Sequence, residues 1–131
     1  MSHQSTTLDH NILMDYQEIF NQIPGCFVVL QPNPPLYTVL AISDELLQIT
    51  ARIREDIVGK GVFEVYPENQ EATTATGPSQ LRISLQNTML HKKVDHMPIV
   101  RYDIADPAGE FEARYWSSHS KPVLNQSGEV M

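Results

Sequence analysis

The sequence predicts an α+β fold, in which an antiparallel sheet is built from two hairpins and the helices are grouped between them. Apolar residues follow strand-like patterns at residues 26–42 and again at 94–124, and they recur at helical spacing between these stretches. Glycines and prolines separate the segments, as expected for turns. A chain of 131 residues is long enough for one core. We therefore expect a single domain over residues 12–131 and a flexible polar tail over residues 1–11.

The first helix is predicted from one stripe of apolar residues at helical spacing: Ile12, Tyr16, Ile19, Phe20 and Ile23. It ends at residues 24–25, because Pro24 disfavours helical geometry in the residue before it and Gly25 accepts a positive φ. The stripe can pack on its own sheet or across a two-fold axis onto a second copy. We expect the second arrangement, so these five residues form the predicted homodimer interface.

The first hairpin is predicted from two apolar runs on either side of a proline-rich loop. Residues 26–30 are apolar and rich in β-branched types, which favours a buried strand. Three prolines within residues 31–35 remove hydrogen-bond donors and require a loop. Residues 36–42 then form the second predicted strand.

Helices are predicted for the middle of the chain. Ser43 is placed to cap the first of them, with Asp44 and Glu45 in its first turn. Short helical pieces follow over residues 46–49, 53–58 and 62–66, separated by glycines and by a proline. After a loop, a longer helix starts at Gly77 and Pro78, and its predicted buried stripe consists of Leu81, Leu85, Thr88 and Met89.

The second hairpin is predicted from strand-like patterns over residues 94–104 and 111–124. Between them, Asp106, Pro107 and Gly109 stand at the first, second and fourth positions of a turn that suits each of these residue types. A second turn is predicted at residues 125–128, which read Asn-Gln-Ser-Gly.

In this order the elements resemble the PAS family over most of the chain. The segments that carry the resemblance are residues 39–47, 54–60 (Arg-Glu-Asp-Ile-Val-Gly-Lys), 62–67 (Val-Phe-Glu-Val-Tyr-Pro), 102–104 with 109–117, and 122–124 with 128–130. They are most similar to PAS domains at the front of bacterial sensor histidine kinases. The family's sheet has five strands, whereas this sequence reaches Met131 before a fifth strand. We therefore expect a truncated last strand, which leaves two hairpin edges to be covered by another segment or a partner chain.

The resemblance implies a cytoplasmic sensory and dimerisation module of a bacterial two-component phosphorelay. Such a module detects a small ligand and relays it by conformational change to the downstream kinase domain of the same protein. The alternative is a ligand-free protein–protein interaction module with a filled core. No kinase motif and no nucleophile elbow is present, so we expect no catalytic residue and no enzyme activity in this chain itself.

The resemblance also implies a ligand cavity, whose enclosing elements carry aromatic and polar residues. Strand alternation allows only one of Tyr115 and Trp116, and only one of Arg101 and Tyr102, to point inward. The predicted ligand-binding residues are Phe63, Tyr66, Arg101, Tyr102, Tyr115 and Trp116.

Cofactor sites are expected to be absent. The helical region over residues 44–66 has no cysteine for a flavin photoadduct, so we exclude a flavin adduct and expect no cofactor beyond an unidentified small ligand. Cys26 is expected to be a small buried hydrophobe. His91, the histidine of the long helix, suits a solvated helix end better than a haem ligand. His96 and His119 lie on separate predicted strands at unrelated spacing, so we expect no metal site.

Charge and hydropathy restrict the partners. With 16 acidic and 9 basic residues the formal net charge is −7, which argues against binding along a nucleic-acid backbone. The longest apolar run, residues 26–30, is far shorter than the roughly 20 residues that span a bilayer. No secretory signal pattern opens the chain, so a cytoplasmic location without membrane contact is expected.

Overall fold

The computed structural model describes residues 16–72 and 74–131. Both the tail predicted over residues 1–11 and Ile12 of the predicted dimer stripe lie outside the described residues. A helix, α1, covers residues 16–22. The other elements, in chain order, are β1 (Val28–Leu30), β2 (Val39–Ile42), α2 (Asp44–Thr50), a 3₁₀ turn (Arg54–Asp56), α3 (Val62–Val65), α4 (Gly77–His91), β3 (Asp95–His96), β4 (Val100–Arg101), β5 (Ile104–Ala105), β6 (Phe111–Glu112), β7 (Tyr115–Trp116) and β8 (His119–Ser120).

The first hairpin pairs β1 with β2 in antiparallel fashion, with Val28 opposite Ile42. The second strand is shorter than predicted. Tyr37 has a positive φ of 47°, and its N–H bonds back to the carbonyl of Asn33, so the proline-rich loop extends to this residue. The strand therefore begins at Val39 instead of Leu36, because a left-handed residue cannot continue an extended strand.

The second hairpin is long and is divided into three paired segments: β3 with β8, β4 with β7, and β5 with β6. Asp95 pairs with Ser120, whereas Val100 pairs with Trp116. The first strand thus advances five residues while the second advances four, which places one extra residue in the first strand. The extra residue falls at Pro98–Ile99, where proline has no N–H to donate to the ladder.

The predicted turn closes this long hairpin. The N–H of Gly109 donates to the carbonyl of Asp106 at 2.9 Å, and Gly109 has a φ of 86°. The carboxylate of Asp106 also accepts the N–H groups of Ala108 and Glu110.

Within the described residues the two hairpins form separate sheets and share no strand pairing. In the PAS domains that the sequence resembles, a fifth strand lies between the two hairpins, and we expect this strand to be truncated here. The truncation itself stays a prediction.

The apolar core joins the first hairpin to the short helices. Val39, Ile42 and Ile57 are fully buried, and Val62 and Val65 of α3 are nearly so. At the end of β2 the hydroxyl of Ser43 accepts the N–H of Leu46, which caps α2 as the sequence predicted. The chain passes from β2 into α2 at this cap, and Leu47 of α2 and Val62 of α3 share one core with Ile42.

The Arg-Glu-Asp-Ile-Val-Gly-Lys segment has a structural role. Arg54 donates to the carbonyl of Ile42 at 2.8 Å and to the carboxylate of Asp44 at 2.6 Å, which ties the 3₁₀ turn to the end of β2. Gly59 has a φ of 91°, and its N–H donates to the carbonyl of Val39. The helical piece predicted over residues 53–58 is reduced to one 3₁₀ turn, because the chain must bend here to run back along β2.

Helix α4 packs on the second hairpin through a partly polar contact. The hydroxyls of Ser84 and Ser120 are 2.9 Å apart, and Thr88 donates to the carbonyl of Ser84. Of the predicted stripe, Thr88 is buried, whereas Leu81, Leu85 and Met89 are only half-buried. The buried face of α4 is therefore centred nearer to Ser84 than predicted, and an apolar pattern alone does not predict that a serine is buried. Among the described residues no helix is both long and apolar enough to cross a membrane.

Candidate functional site

A hollow of about 130 Å³ lies between the helices and the inner face of the second hairpin. It joins β1 and helices α2, α3 and α4 to strands β4, β5 and β7, and it is almost entirely apolar. The residues that line it are Val28, Leu46, Thr50, Val62, Tyr66, Leu81, Met97, Val100, Tyr102, Ile104, Trp116 and Ser118.

Two tyrosines and a threonine form a hydrogen-bonded chain at this hollow. The Tyr102 hydroxyl donates to the backbone carbonyl of Tyr66. The Thr50 hydroxyl donates to the carbonyl of Leu46 at 2.8 Å and lies 3.1 Å from the Tyr66 hydroxyl, a pair in which either oxygen can be the donor. In either case the Tyr66 oxygen keeps a lone pair that can accept a hydrogen bond from a ligand.

Both tyrosines are neutral at physiological pH. Burial raises the pKa of Tyr102 far above its ordinary value. Burial also raises the pKa of Tyr66, and the hydrogen bond to Thr50 and the charge of Arg52 offset this only in part. The hollow thus offers apolar surface with neutral hydroxyls and no carboxylate or ammonium among its lining residues.

Alternation along the hairpin strands decides which predicted residues reach the hollow. Trp116 lines it, and its indole N–H donates to the carbonyl of Tyr102 at 3.1 Å. The neighbouring Tyr115 lies on the opposite face and is 69% exposed. Tyr66, Tyr102 and Trp116 are therefore brought together, as the predicted cavity requires, although ligand contact itself stays a prediction.

Three predicted ligand residues, Phe63, Arg101 and Tyr115, do not line the hollow, so a role for them in ligand binding stays a prediction. Phe63 packs edge-on against Tyr37 with ring centroids 6.3 Å apart, and the guanidinium of Arg82 lies 4.2 Å from the centroid of its ring. Arg101 and Tyr115 are cross-strand partners on the outer face. For Arg101 and Tyr115 the physical reason is the two-residue period of a strand, which directs the neighbours of Tyr102 and Trp116 outward.

Arg101 instead belongs to an ion-pair network that anchors the loop before α4. Its guanidinium donates to both carboxylate oxygens of Asp103, at 2.8 and 2.9 Å, and to the hydroxyl of Thr74. Asn69 donates to the same carboxylate at 2.9 Å. The hydrogen bonds from Arg101 in particular lower the pKa of Asp103, so this buried carboxyl is charged at neutral pH.

The predicted dimer stripe is divided by the structure. Phe20 packs on Phe27 of its own chain, with ring centroids 5.0 Å apart. Tyr16, Ile19 and Ile23 are all exposed. Phe20 is thus a contact between α1 and the first hairpin, whereas the other three described residues of the stripe are accessible to a partner.

The cysteine and histidines are placed as follows. Cys26 is exposed and not buried as predicted, because β1 begins two residues later; its pKa is raised by desolvation. His91 is exposed in the last turn of α4. Across the part of the chain that the structure describes, no three His, Cys, Asp or Glu side chains converge as metal ligands.

A second, larger depression of about 550 Å³ lies between the 3₁₀ turn and the tip of the long hairpin. Its wall includes both cations (Arg52 and Lys60) and carboxylates (Asp56, Glu64 and Asp106). Because charges of both signs alternate around an open groove, it selects neither an anion nor a cation. We regard the apolar hollow as the better candidate site.

Sequence reasoning missed several lining residues, among them Leu46, Thr50 and Met97. Leu46 and Thr50 are four residues apart on α2 and so share one face of that helix. This spacing could have identified them once the face toward the hairpin was known.

No family model and no curated protein matches the sequence. Solved structures with the same fold are found at low identity. One, an RNA-binding Light-Oxygen-Voltage (LOV) receptor, superposes with a TM-score of 0.57 at 13% identity, over 95% of this chain and 31% of that one. Another, the LOV protein of Rhodobacter sphaeroides, gives 0.60 at 12% identity, over 89% of this chain and 60% of that one. The chain therefore spans about a third and three fifths of these two structures.

LOV domains belong to the PAS superfamily, so the comparisons confirm the predicted PAS-like α+β fold. The identities are too low to transfer more than the fold. The kinase context and the absence of nucleic-acid binding stay predictions, and one of the two neighbours is described as RNA-binding.

The prediction that excluded flavin is wrong, because the structural neighbours are LOV domains, which bind flavin. The argument from a missing cysteine concerned a covalent photoadduct, and non-covalent binding of the ring needs no cysteine. At about 130 Å³ the hollow is smaller than the roughly 300–1,000 Å³ of most ligand pockets. A flavin would enter it only if the hairpin lay farther from the helices than in this structure.

Proposed function

We propose that this chain is a PAS-type sensory module of a bacterial signal-transduction protein and binds a small molecule in the hollow beneath its second hairpin. The observation that supports the proposal is one apolar hollow that touches both hairpins and helices α2, α3 and α4 at once. A molecule in this place contacts elements that also meet in the apolar core, where Tyr102 and Ile104 of the long hairpin join Val62 of α3. Its presence can therefore bias how the long hairpin packs on the helices.

The chemistry of the hollow selects the ligand. Apolar walls and neutral tyrosines favour an uncharged, largely apolar molecule, since burying a charge here would have no compensating partner. The lone pair that the Tyr66 oxygen keeps suits a single hydrogen-bond donor on that molecule. A dry cavity of about 150 Å³ is known to accommodate benzene, so a compact molecule of similar size matches the hollow as it stands.

A signal would leave the hollow through the second hairpin. Tyr102 connects β4 to α3 through the carbonyl of Tyr66, and Ser120 connects β8 to α4 through Ser84. Both contacts are single hydrogen bonds, each worth about 0.5–1.5 kcal/mol net. A ligand with a modest preference for one arrangement of the hairpin could therefore shift the balance between two arrangements.

The output and the partners extend the proposal beyond this chain. We propose that the module acts in the cytoplasm, without catalysis of its own, and regulates a histidine kinase domain of the same protein in a two-component phosphorelay. Exposed Tyr16, Ile19 and Ile23 on α1 support pairing with a second copy.

The experiment is native mass spectrometry of the protein purified from its own host, with a variant that fills the hollow. Leu81→Phe places a larger side chain in the lining, and Ile83→Phe on the exposed side of the same helix is the matched control. We expect wild type and Ile83→Phe to carry the same added mass and Leu81→Phe to lack it. An added mass with the visible spectrum of a flavin would identify flavin as the ligand.

The alternative function is a ligand-free interaction module, and the small volume of the hollow favours it. In that case all three proteins have the bare chain mass, while light scattering still detects a dimer that a charge on α1, such as Ile19→Glu, disrupts. A bare mass together with a monomer would contradict both functions.

A further inference from the structure

Two histidines face each other on the outer surface of the long hairpin. His96 on β3 and His119 on β8 are direct register partners, and their ring centroids are 5.6 Å apart. Both side chains are exposed, while their neighbours Asp95 and Ser120 alternate toward α4. The pair is separate from the hollow and from the ion-pair network of Arg101.

The bulge at Pro98–Ile99 creates this pairing. If the register of β4 and β7 continued without the extra residue, His96 would lie opposite Ser120 and the two imidazoles would be offset. The N–H of Met97 donates to the carbonyl of Ser118, so the adjacent His96–His119 pair is a non-hydrogen-bonded one, in which side chains approach most closely.

The spacing of the two rings fits one metal ion between them. Imidazole nitrogens bind zinc at about 2.0–2.1 Å, so two imidazoles on a tetrahedral ion have ring centres roughly 5 Å apart. The observed 5.6 Å is reached from this value by small side-chain rotations. Because no group of three ligand side chains occurs in the described ranges, water would complete the coordination.

We propose that His96 and His119 form a two-imidazole binding site for a divalent transition-metal ion of the zinc type. Imidazole suits zinc and cobalt, whereas magnesium and calcium require oxygen ligands. A bound ion joins β3 to β8 and stabilises the segment of the hairpin that contacts α4.

The test is calorimetric titration of the full chain, without a polyhistidine tag, with Zn²⁺ or Co²⁺ alone. The chain has five histidines, so the matched background replaces the other three (His3→Gln, His10→Gln and His91→Gln) and keeps the pair. We expect this background to bind one ion as wild type does, and His96→Gln or His119→Gln in it to bind at least tenfold more weakly. Loss of even an outer-shell partner of a metal site costs about 10–100-fold.

A second readout is thermal unfolding with and without Zn²⁺. The background should unfold at a higher temperature when the ion is present, and the His96→Gln version should not, because only a bridged pair ties the strands together. Equal affinity in the background and in both single-histidine versions would overturn the proposal, and so would binding of Mg²⁺ or Ca²⁺ as tight as that of Zn²⁺. The result is independent of whether the hollow carries a ligand.

Discussion

The two halves of this fold are packed differently. In the first, the β1–β2 hairpin lies against α2, the 3₁₀ turn and α3, and Val39, Ile42 and Ile57 are completely buried. In the second, the long hairpin adds Tyr102 and Ile104 to the edge of the same apolar core, meets α4 through the hydroxyls of Ser84 and Ser120, and borders the hollow. The most buried apolar residues of the long hairpin retain 7–8% exposure.

We infer from this difference that residues 28–65 form a rigid platform and that the long hairpin, residues 95–120, forms a more adjustable cover. Dense apolar packing loses free energy sharply when it is disturbed, so the first half has one favoured arrangement. Side chains that border the hollow have packing partners on fewer sides and lose less on small shifts. The proposed sensory function would use both properties, since a ligand can shift an equilibrium only where two arrangements differ little in free energy.

The largest expected effect compares the same substitution in both halves. Ile57→Ala should cost about 2–5 kcal/mol of unfolding free energy, because it leaves a new cavity in closely packed surroundings. Ile104→Ala should cost less, since Ile104 borders the hollow and one side of its side chain faces open space. Urea unfolding of both variants measures this, and equal costs would contradict the division into a rigid and an adjustable half.

A smaller effect is expected where α4 meets the hairpin. A Cβ on Gly77 would collide with the Tyr102 side chain, so Gly77→Ala should destabilise the protein by about 1–3 kcal/mol. In an unhindered helix the same change would instead stabilise by about 0.5–1 kcal/mol. Ser79→Ala, exposed in the same turn, is the control and should be nearly neutral.

If Gly77→Ala proved stabilising, the cover would be freer to move away from α4 than we infer. Thermal unfolding of the two variants beside wild type distinguishes these outcomes. Destabilisation by Gly77→Ala alone would support close contact at this point.

The smallest effect concerns pH and the Asp103 network. Because the folded-state pKa of Asp103 is lowered, its contribution to stability is present at neutral pH. It is lost as the pH falls from the ordinary carboxyl range, about 4, through the folded-state pKa. Asp103→Asn should therefore be less stable than wild type at pH 7, and the gap should narrow in strong acid.

Urea unfolding at neutral and acidic pH measures that gap. Glu110→Gln, an exposed position on the hairpin tip, serves as the control and should parallel wild type at both pH values. A gap of constant size across the acid range would mean that the network does not depend on the charge of Asp103.

Much of the fold was predictable because local signals agree with it. Ser43 caps α2, Gly77 and Pro78 begin α4, and Asp106 with Gly109 forms the hairpin turn, each through chemistry within a few residues. The site was predictable only in part. Alternation required one of Tyr115 and Trp116 to face inward, but the choice depends on which side the helices cover.

The sequence by itself determined the order of helices and hairpins, the positions of the turns and the apolar character of the platform, because these follow from residue periodicity and backbone chemistry. Only the tertiary structure decided that Trp116 lies in the hollow, that Arg101 pairs with Asp103, and that His96 faces His119. These outcomes depend on strand register and on a one-residue bulge. Register is set by pairing between residues that are far apart in the sequence. A shift by one residue changes every pairing partner and moves the side chains to the other face of the sheet.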